Sequence, residues 1–435
     1  RLNLFLMLVL CSYQSAYAEL MNRLLLTHET FLSPDYRATT KRDFDFIGAS
    51  LRSPPPQDIG TYFDVKGAYA VGVPVASYLN VAELYQVTHD REHVKVSFGR
   101  RRHLWSFVDQ DWNLGIFQPN FRWNPLEPIQ QGLTGFFYQK DHENLSYTLF
   151  ASFLYLPDQG PSFEINDRGE FVEGSPWFRR PPQSYVLRDE KGTVVYDIRR
   201  PVESSIVFRQ SLGAQLQIQK DAWLGRLSFA AKPMNQLALL YNSVLDTSLS
   251  KTASVSVEPR VTNHQVAAAD LQWQRRNWTL TASWVEDRPS SKIDLPEGWA
   301  GPVYSPAAVF GLGVRHARKN FILGLHRLEI FGGEVREAGN TVSGELSLSE
   351  KYPLREAYRL SGEYFSRHWS VGASFLDSVR HRMQIVGLNG LIRLNQRWRV
   401  GASAQLVKAS LMGERAQLTQ YADHDRVAVG VLHDF

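Results

Sequence analysis

Short segments of alternating polarity recur along this 435-residue chain, and no apolar run of 18 residues is found in it. The clearest segment is Asn277–Trp284, where Trp278, Leu280, Ala282 and Trp284 alternate with Thr279, Thr281 and Ser283. In a strand, successive side chains point to opposite faces, so this spacing puts an apolar stripe on one side and a polar one on the other. Four further stripes repeat the pattern. They are Tyr147, Leu149, Ala151, Phe153, Tyr155; Leu212, Ala214, Leu216, Ile218; Trp369, Val371, Ala373, Phe375; and Trp398, Val400, Ala402, Ala404, Leu406. Aromatic residues often open or close a stripe, where a girdle at a lipid–water boundary places them. Half of each such strand is polar, so a mean hydropathy of −0.29 excludes a helical membrane protein but fits a membrane-spanning barrel.

The connections alternate as well. Seven are short and charged: 89–92, 140–144, 219–222, 275–277, 317–320, 366–368 and 395–397. Longer segments rich in Gly, Pro and charge lie between them, at 157–208, 286–306, 331–352 and 409–425. Short turns on one side and long loops on the other are the asymmetry of an up-and-down antiparallel barrel. Seven hairpins, one earlier strand and a terminal strand predict 16 strands. Phe44 to Arg52 and Tyr62 to Ala70, split by Pro54-Pro55-Pro56, are both candidate strands. Using both requires an additional strand for even closure, which makes 18 the second choice. Residues 19–40 show little alternation and are read as a periplasmic tail, a short helix or a luminal plug, with the barrel over 41–435.

The two ends carry the sorting information. Leu2–Leu10 is a short apolar run followed by Ser15-Ala16-Tyr17-Ala18, a small-residue cleavage pattern, so residues 1–18 are expected to be a signal peptide cut after Ala18. Cys11, the single cysteine, falls in that segment. A lipobox reading of Cys11 conflicts with Leu10, where a small residue is expected. Cleavage leaves 47 basic against 44 acidic side chains, a net +3, with the basic residues scattered among acids. That is no nucleic-acid profile. At the other end Val427, Val429 and Val431 alternate up to Phe435. This terminus resembles the assembly signal of Gram-negative outer-membrane β-barrels, with His433 where that family usually carries Tyr or another aromatic. The resemblance implies an exported outer-membrane protein that meets the barrel-assembly machinery, outer-membrane lipid and lipopolysaccharide, and it allows a homotrimer.

Residues 103–131 contain Trp105, Trp112, Phe117, Phe121 and Trp123, too apolar a set for a freely solvated loop. They follow the strand Val94–Arg100. A Gly-Arg strand end before a Trp- and Asn-Pro-containing loop resembles the constriction loop of a porin-type pore. Within 157–208, Tyr185-Val186-Leu187 and Val194-Val195-Tyr196 flank Asp189-Glu190-Lys191-Gly192, an expected extracellular hairpin.

Charge completes the reading. A Lys or Arg at mid-membrane on a lipid face costs roughly 2–4 kcal/mol, so strand charges are assigned to the lumen. The stripes then place Lys95, Arg101, Arg226, Asp270, Arg315, Arg359, Glu363 and Arg399 along a pore. Six basic against two acidic positions suggest mild anion preference, unless neighbours neutralise them. Arg100, Arg102, Arg179-Arg180 and Arg199-Arg200 are expected at the outer rim or on loops, where lipopolysaccharide phosphates are possible ligands. His89-Asp90-Arg91-Glu92-His93 matches H-x-x-E-H, but zinc chemistry needs that text on a helix, and here it separates two strands. His316 and His326 lack a motif fixing a partner serine, and Asp423-His424-Asp425 reads as surface polarity rather than a protease site. No metal, cofactor or catalytic role is assigned. The expected function is passive diffusion of small hydrophilic solutes. An adhesion barrel acting through 157–208 is the alternative, and an outer-membrane hydrolase ranks below both.

Overall fold

A computed structural model describes residues 21–435 apart from 34–40, 57–58, 92, 188–189, 200, 247–251, 291–294, 339–350 and 410–417. The expected signal segment, with Cys11, lies outside the described residues. Eighteen strands close into one antiparallel barrel. In chain order they are β1 (Met21–Phe31), β2 (Asp43–Arg52), β3 (Gly60–Ala70), β4 (Tyr78–Arg91), β5 (Val94–Arg101), β6 (Leu133–His142), β7 (Leu145–Leu154), β8 (Phe208–Lys220) and β9 (Trp223–Pro233). They continue as β10 (Asn263–Arg275), β11 (Trp278–Pro289), β12 (Ala307–Arg318), β13 (Phe321–Gly332), β14 (Glu356–Phe365), β15 (Trp369–Ser378), β16 (Met383–Arg393), β17 (Trp398–Ala409) and β18 (Arg426–Asp434).

The expected 16 strands are therefore corrected to 18. Both Phe44–Arg52 and Tyr62–Ala70 are used, and the additional strand that parity demands is β1. The segment read as a tail, helix or plug pairs with β2 on one edge, from Met21↔Arg52 to Thr30↔Asp43. On the other it pairs with β18, from Arg23↔Asp434 to Phe31↔Arg426. The closing partner of the terminal strand is thus β1. Its alternation is hidden by Leu24-Leu25-Leu26. Leu24 and Leu26 are exposed on the outer face, while Leu25 faces inward opposite Leu432.

All seven short connections fall at one rim, as does the connection between β2 and β3. Glu143, Asp221 and Arg276 open two-residue turns with positive φ (44°, 52° and 52°), the backbone twist that tight hairpins require. The outer wall is apolar: Leu149, Phe153, Leu216, Leu227, Leu280, Trp284, Leu325 and Leu360 are among the large side chains it exposes. Val427, Val429 and Val431 lie on this face with Phe435. His433 occupies the aromatic position there, its ring 4.4 Å from Trp398 and 4.6 Å from Phe435.

The loops at the opposite rim carry their own structure. Strands at 184–187, 190–198, 252–260 and 238–246 form a four-stranded sheet. The expected hairpin is present, but Tyr185 pairs with Gly192 and Leu187 with Glu190. Lys191 and Gly192 therefore belong to a strand rather than to the connection.

If β1 is a wall strand, Leu26→Lys places a charge on lipid and should cost about 2–4 kcal/mol in urea unfolding of protein folded into vesicles. Thr27→Lys, facing the lumen, should cost clearly less. Equal, negligible effects would mean that 21–31 is not in the wall.

Candidate pore and its inner loop

Residues 102–132 leave the rim after β5 and turn into the barrel. Their short helix α1 (Phe107–Trp112) lies on the inner wall of strands far from its own anchors. The start of a helix leaves backbone N–H groups without partners, and Ser106 supplies no side-chain cap here. The wall does so instead. Both oxygens of Asp270 on β10 accept the Phe107 N–H at 3.3 Å, and Ser283 Oγ on β11 accepts that of Val108 at 3.2 Å. Within the loop, buried Asp109 accepts the N–H groups of Ile116 and Phe117 at 2.9 Å each, which fixes the return bend.

Packing requires small wall residues at two places. A Cβ on Gly311 would lie 2.5 Å from Val108, and one on Gly213 would lie 2.9 Å from Trp105. Trp105 is fully buried and stacks on Phe117 with centroids 5.7 Å apart. At the far end of α1, Trp112 lies under the Arg359 guanidinium at 4.8 Å, and Asp111 reaches His326 at 3.3 Å. The returning limb crosses to the other side. Trp123 donates to the Ala76 carbonyl at 3.2 Å and packs on Phe46 and Tyr78, while Glu127 meets Arg426 of β18 at 3.1 Å.

The eight residues assigned to the lumen occupy inward register positions on their strands, but they are not equivalent. Arg226 and Asp270 form a pair at 3.7 Å, almost fully buried, with Phe107 covering the guanidinium. They anchor the loop rather than face open space. Lys95 pairs with Asp90 at 3.0 Å. Arg101 is held by Ser97 and Gln139 and lies over Tyr85 and Phe137. Arg399 shares the Asp434 carboxylate with Arg23, at 2.7 and 2.9 Å. Arg359 lies against α1. Arg315 is exposed on β12, and Glu363 is half-buried on β14.

Several inward groups escaped sequence reasoning. Arg102, expected at the outer rim or on a loop, begins the loop and bridges Asp64 and Glu83 at 2.7 Å each. Arg100 is buried and donates to Gln131 and to the Gly132 carbonyl. Arg179, paired with Asp423, and Arg199, exposed over Trp299, lie on a loop, as expected. Buried His264 hydrogen-bonds Asp287 at 2.8 Å, and Asp287 also holds Lys351 and the Tyr352 hydroxyl of the 333–355 loop. The H-x-x-E-H stretch ends β4 and begins a turn, with His89 opposite Val96. His316 sits in the outer aromatic band, 4.3 Å from Trp278.

Asp423-His424-Asp425 is not a solvated surface cluster. His424 is fully buried, packed on Phe31, Trp177 and Tyr421. Trp177, from the 155–207 loop, is equally buried, so the two loops are clamped together inside the rim.

The described strands satisfy one another's backbone groups around a closed ring, an apolar belt faces outward, and polar groups face a lumen that a loop enters. Only closed barrels and helices meet that backbone requirement in a bilayer. The chain is a closed transmembrane β-barrel whose lumen a loop enters. In bacterial outer-membrane barrels the rim of short turns is the periplasmic end. Solved structures of similar fold include a mutant porin of Rh. blastica (12% identity, TM-score 0.41, covering 96% of this chain and 99% of that one). OccD3 (OpdP) of Pseudomonas aeruginosa gives 10%, 0.45, 98% and 92%. A loop-deletion mutant of OmpT, an outer membrane protein of Vibrio cholerae, gives 7%, 0.38, 96% and 99%. No family model and no curated protein matches the chain.

Two outcomes follow. Asp270→Ala leaves Arg226 buried without its partner, costing about 3–5 kcal/mol, and frees the start of α1. Single-channel recordings should show larger, noisier conductance than wild type. The loop clamp should also weaken in acid. Burial pushes the His424 imidazole below its ordinary value, against the pull of Asp423. Burial alone would raise the Asp423 carboxyl, but His424 and Arg179 outweigh it and hold it below the usual range. The His424 contribution is full above its unfolded value of about 6.5 and declines as pH falls through it, and that of Asp423 follows at lower pH. Proteolysis of 181–200 should be faster at pH 5 than at pH 7, and His424→Gln should flatten the difference.

Proposed function

We propose that the barrel is a passive channel for small hydrophilic solutes, narrowed by residues 102–132. The observation that carries this reading is the anchoring of α1 on the inner wall of β10 and β11, five strands around the barrel from β5 and β6, which bear the loop. A loop held there by a buried ion pair and backbone hydrogen bonds sets a fixed passage rather than an external cover. The wall it leaves uncovered is small and polar. Ser374, Asn389 and Arg393 face inward and are exposed, with Gly372, Gly387, Gly401 and Gly430 between them on β15–β18.

Mild anion preference is part of the proposal, on narrower grounds than six basic residues against two acids. Asp90, Asp270 and Asp434 take up Lys95, Arg226 and the Arg399–Arg23 pair. What remains is Arg315, Arg359, Arg393 and one charge of the Arg399–Arg23 pair, which shares a single carboxylate, against Glu363 and Asp111, a small positive excess. In a planar bilayer under a salt gradient, the reversal potential should show weak anion preference, and Arg315→Glu with Arg393→Glu should move it toward cations. Clear cation preference in the wild type would overturn the selectivity claim, and absence of conductance steps would overturn the channel.

The interaction-barrel reading rests on a different observation. The four-stranded loop sheet has an edge at 184–187, where Val186 is 71% exposed, a surface able to add a partner's strand. Deletion of 181–200 should abolish partner binding if that reading holds, and leave conductance intact if the channel reading holds alone.

A further inference from the structure

The periplasmic rim is divided into two unlike halves. The turns joining β4–β5, β6–β7 and β8–β9 mix charges: Asp90 and Glu92 with Arg91, Asp141 and Glu143 with Lys140, and Asp221 with Lys220. The next four turns, from β10–β11 to β16–β17, carry Arg275, Arg276, Arg318, Lys319, Arg367 and Arg397, and contain no Asp or Glu. All six side chains are exposed. Six cations on four adjacent turns repel one another, and nothing within those turns offsets the repulsion.

Their placement against lipid is specific. Arg275 is the register partner of Trp278, and Arg318 of Phe321. Trp278 is exposed on the outer apolar face, so Arg275 sits on the lipid side of its strand, at the end where the apolar stripe stops. Trp369 and Trp398, both exposed, begin the strands that follow Arg367 and Arg397. Cations directly beside an aromatic girdle lie at headgroup depth. A basic cluster of this kind at a bilayer surface attracts acidic lipid, by about 1 kcal/mol for each Lys or Arg.

We propose that the β10–β17 half of the periplasmic rim is a docking surface for anionic phospholipid headgroups of the adjoining leaflet. The guanidinium groups would hold the phosphate by charge-assisted hydrogen bonds. The aromatic side chains would seat the glycerol and upper acyl region. The mixed-charge half would be indifferent to headgroup charge, so the barrel would carry acidic lipid on one flank.

The test uses full-length protein in nanodiscs of equal phosphatidylcholine and phosphatidylglycerol, released into native mass spectrometry to count retained lipids. The wild type should retain phosphatidylglycerol at least about fivefold over phosphatidylcholine, the factor that about 1 kcal/mol supplies. Enrichment should be lost in a variant combining Arg275→Gln, Arg276→Asn, Arg318→Gln and Lys319→Gln. Asparagine is used at 276 because the position has a φ of 52°, which Asn tolerates. It should survive in the control Lys140→Gln with Lys220→Gln. Folding is read from the heat-sensitive mobility of the barrel on gels, and Arg367→Gln with Arg397→Gln provides an independent lesion on the other two turns. Equal retention of both lipids by the wild type would overturn the proposal. So would enrichment that survives both lesions, or equal loss in the control. Full displacement of the lipid by soluble polyglutamate at equal charge would overturn it too, and assign the surface to an acidic soluble partner.

Discussion

Backbone hydrogen bonding in a medium without water governs this structure. A strand edge facing lipid leaves N–H and C=O groups unpaired at several kcal/mol each, so the sheet must close on itself. Closure falls on the β1–β18 seam, where Arg23 to Phe31 pair with Asp434 to Arg426 without a break. The even strand number, the placement of both barrel ends at one rim and the facing of every side chain follow from that seam. Moving its register by one residue would turn Leu24 and Leu26 into the lumen and Arg23 and Glu29 onto lipid.

The interior meets a second demand, since a barrel this wide cannot be filled by its own wall side chains. The 102–132 loop does part of the filling, and the wall is built to receive it. Gly213 and Gly311 make room for Trp105 and Val108, and Asp270 and Ser283 take the N–H groups that α1 leaves open. Charged residues follow the same logic. Arg226 is stable in a dry place because Asp270 and Phe107 surround it, and Arg102 because two carboxylates do. Much of the inward charge holds the interior together, and a smaller set lies open to solutes.

The fold was largely legible because its signal is local. Period-two alternation, aromatic ends and charged short turns depend on neighbours in sequence, and they located seven hairpins. What was hidden depends on distant partners. The β1 stripe is masked by Leu25, which is apolar because it meets Leu432 across the seam. The roles of Arg226 and Asp270 changed because residues more than a hundred positions away cover them. His424 looked like surface polarity because Trp177, its packing partner, arrives from another loop. The strand count erred for the same reason as β1: evenness was expected correctly, but the strand that satisfies it carries Leu on both faces at one end and His28 and Thr30 on the outer face at the other.

The seam is open to direct measurement by paired cysteines in protein folded into lipid vesicles. Leu26→Cys with Val431→Cys, in a Cys11→Ser background, places the two thiols on register partners. Mild oxidation should cross-link this pair efficiently and should leave Ala49→Cys with Val431→Cys and Val65→Cys with Val431→Cys uncoupled. Cross-linking of residue 431 to position 49 or 65 in place of 26 would mean that the barrel closes on a different strand, and would contradict the 18-stranded account.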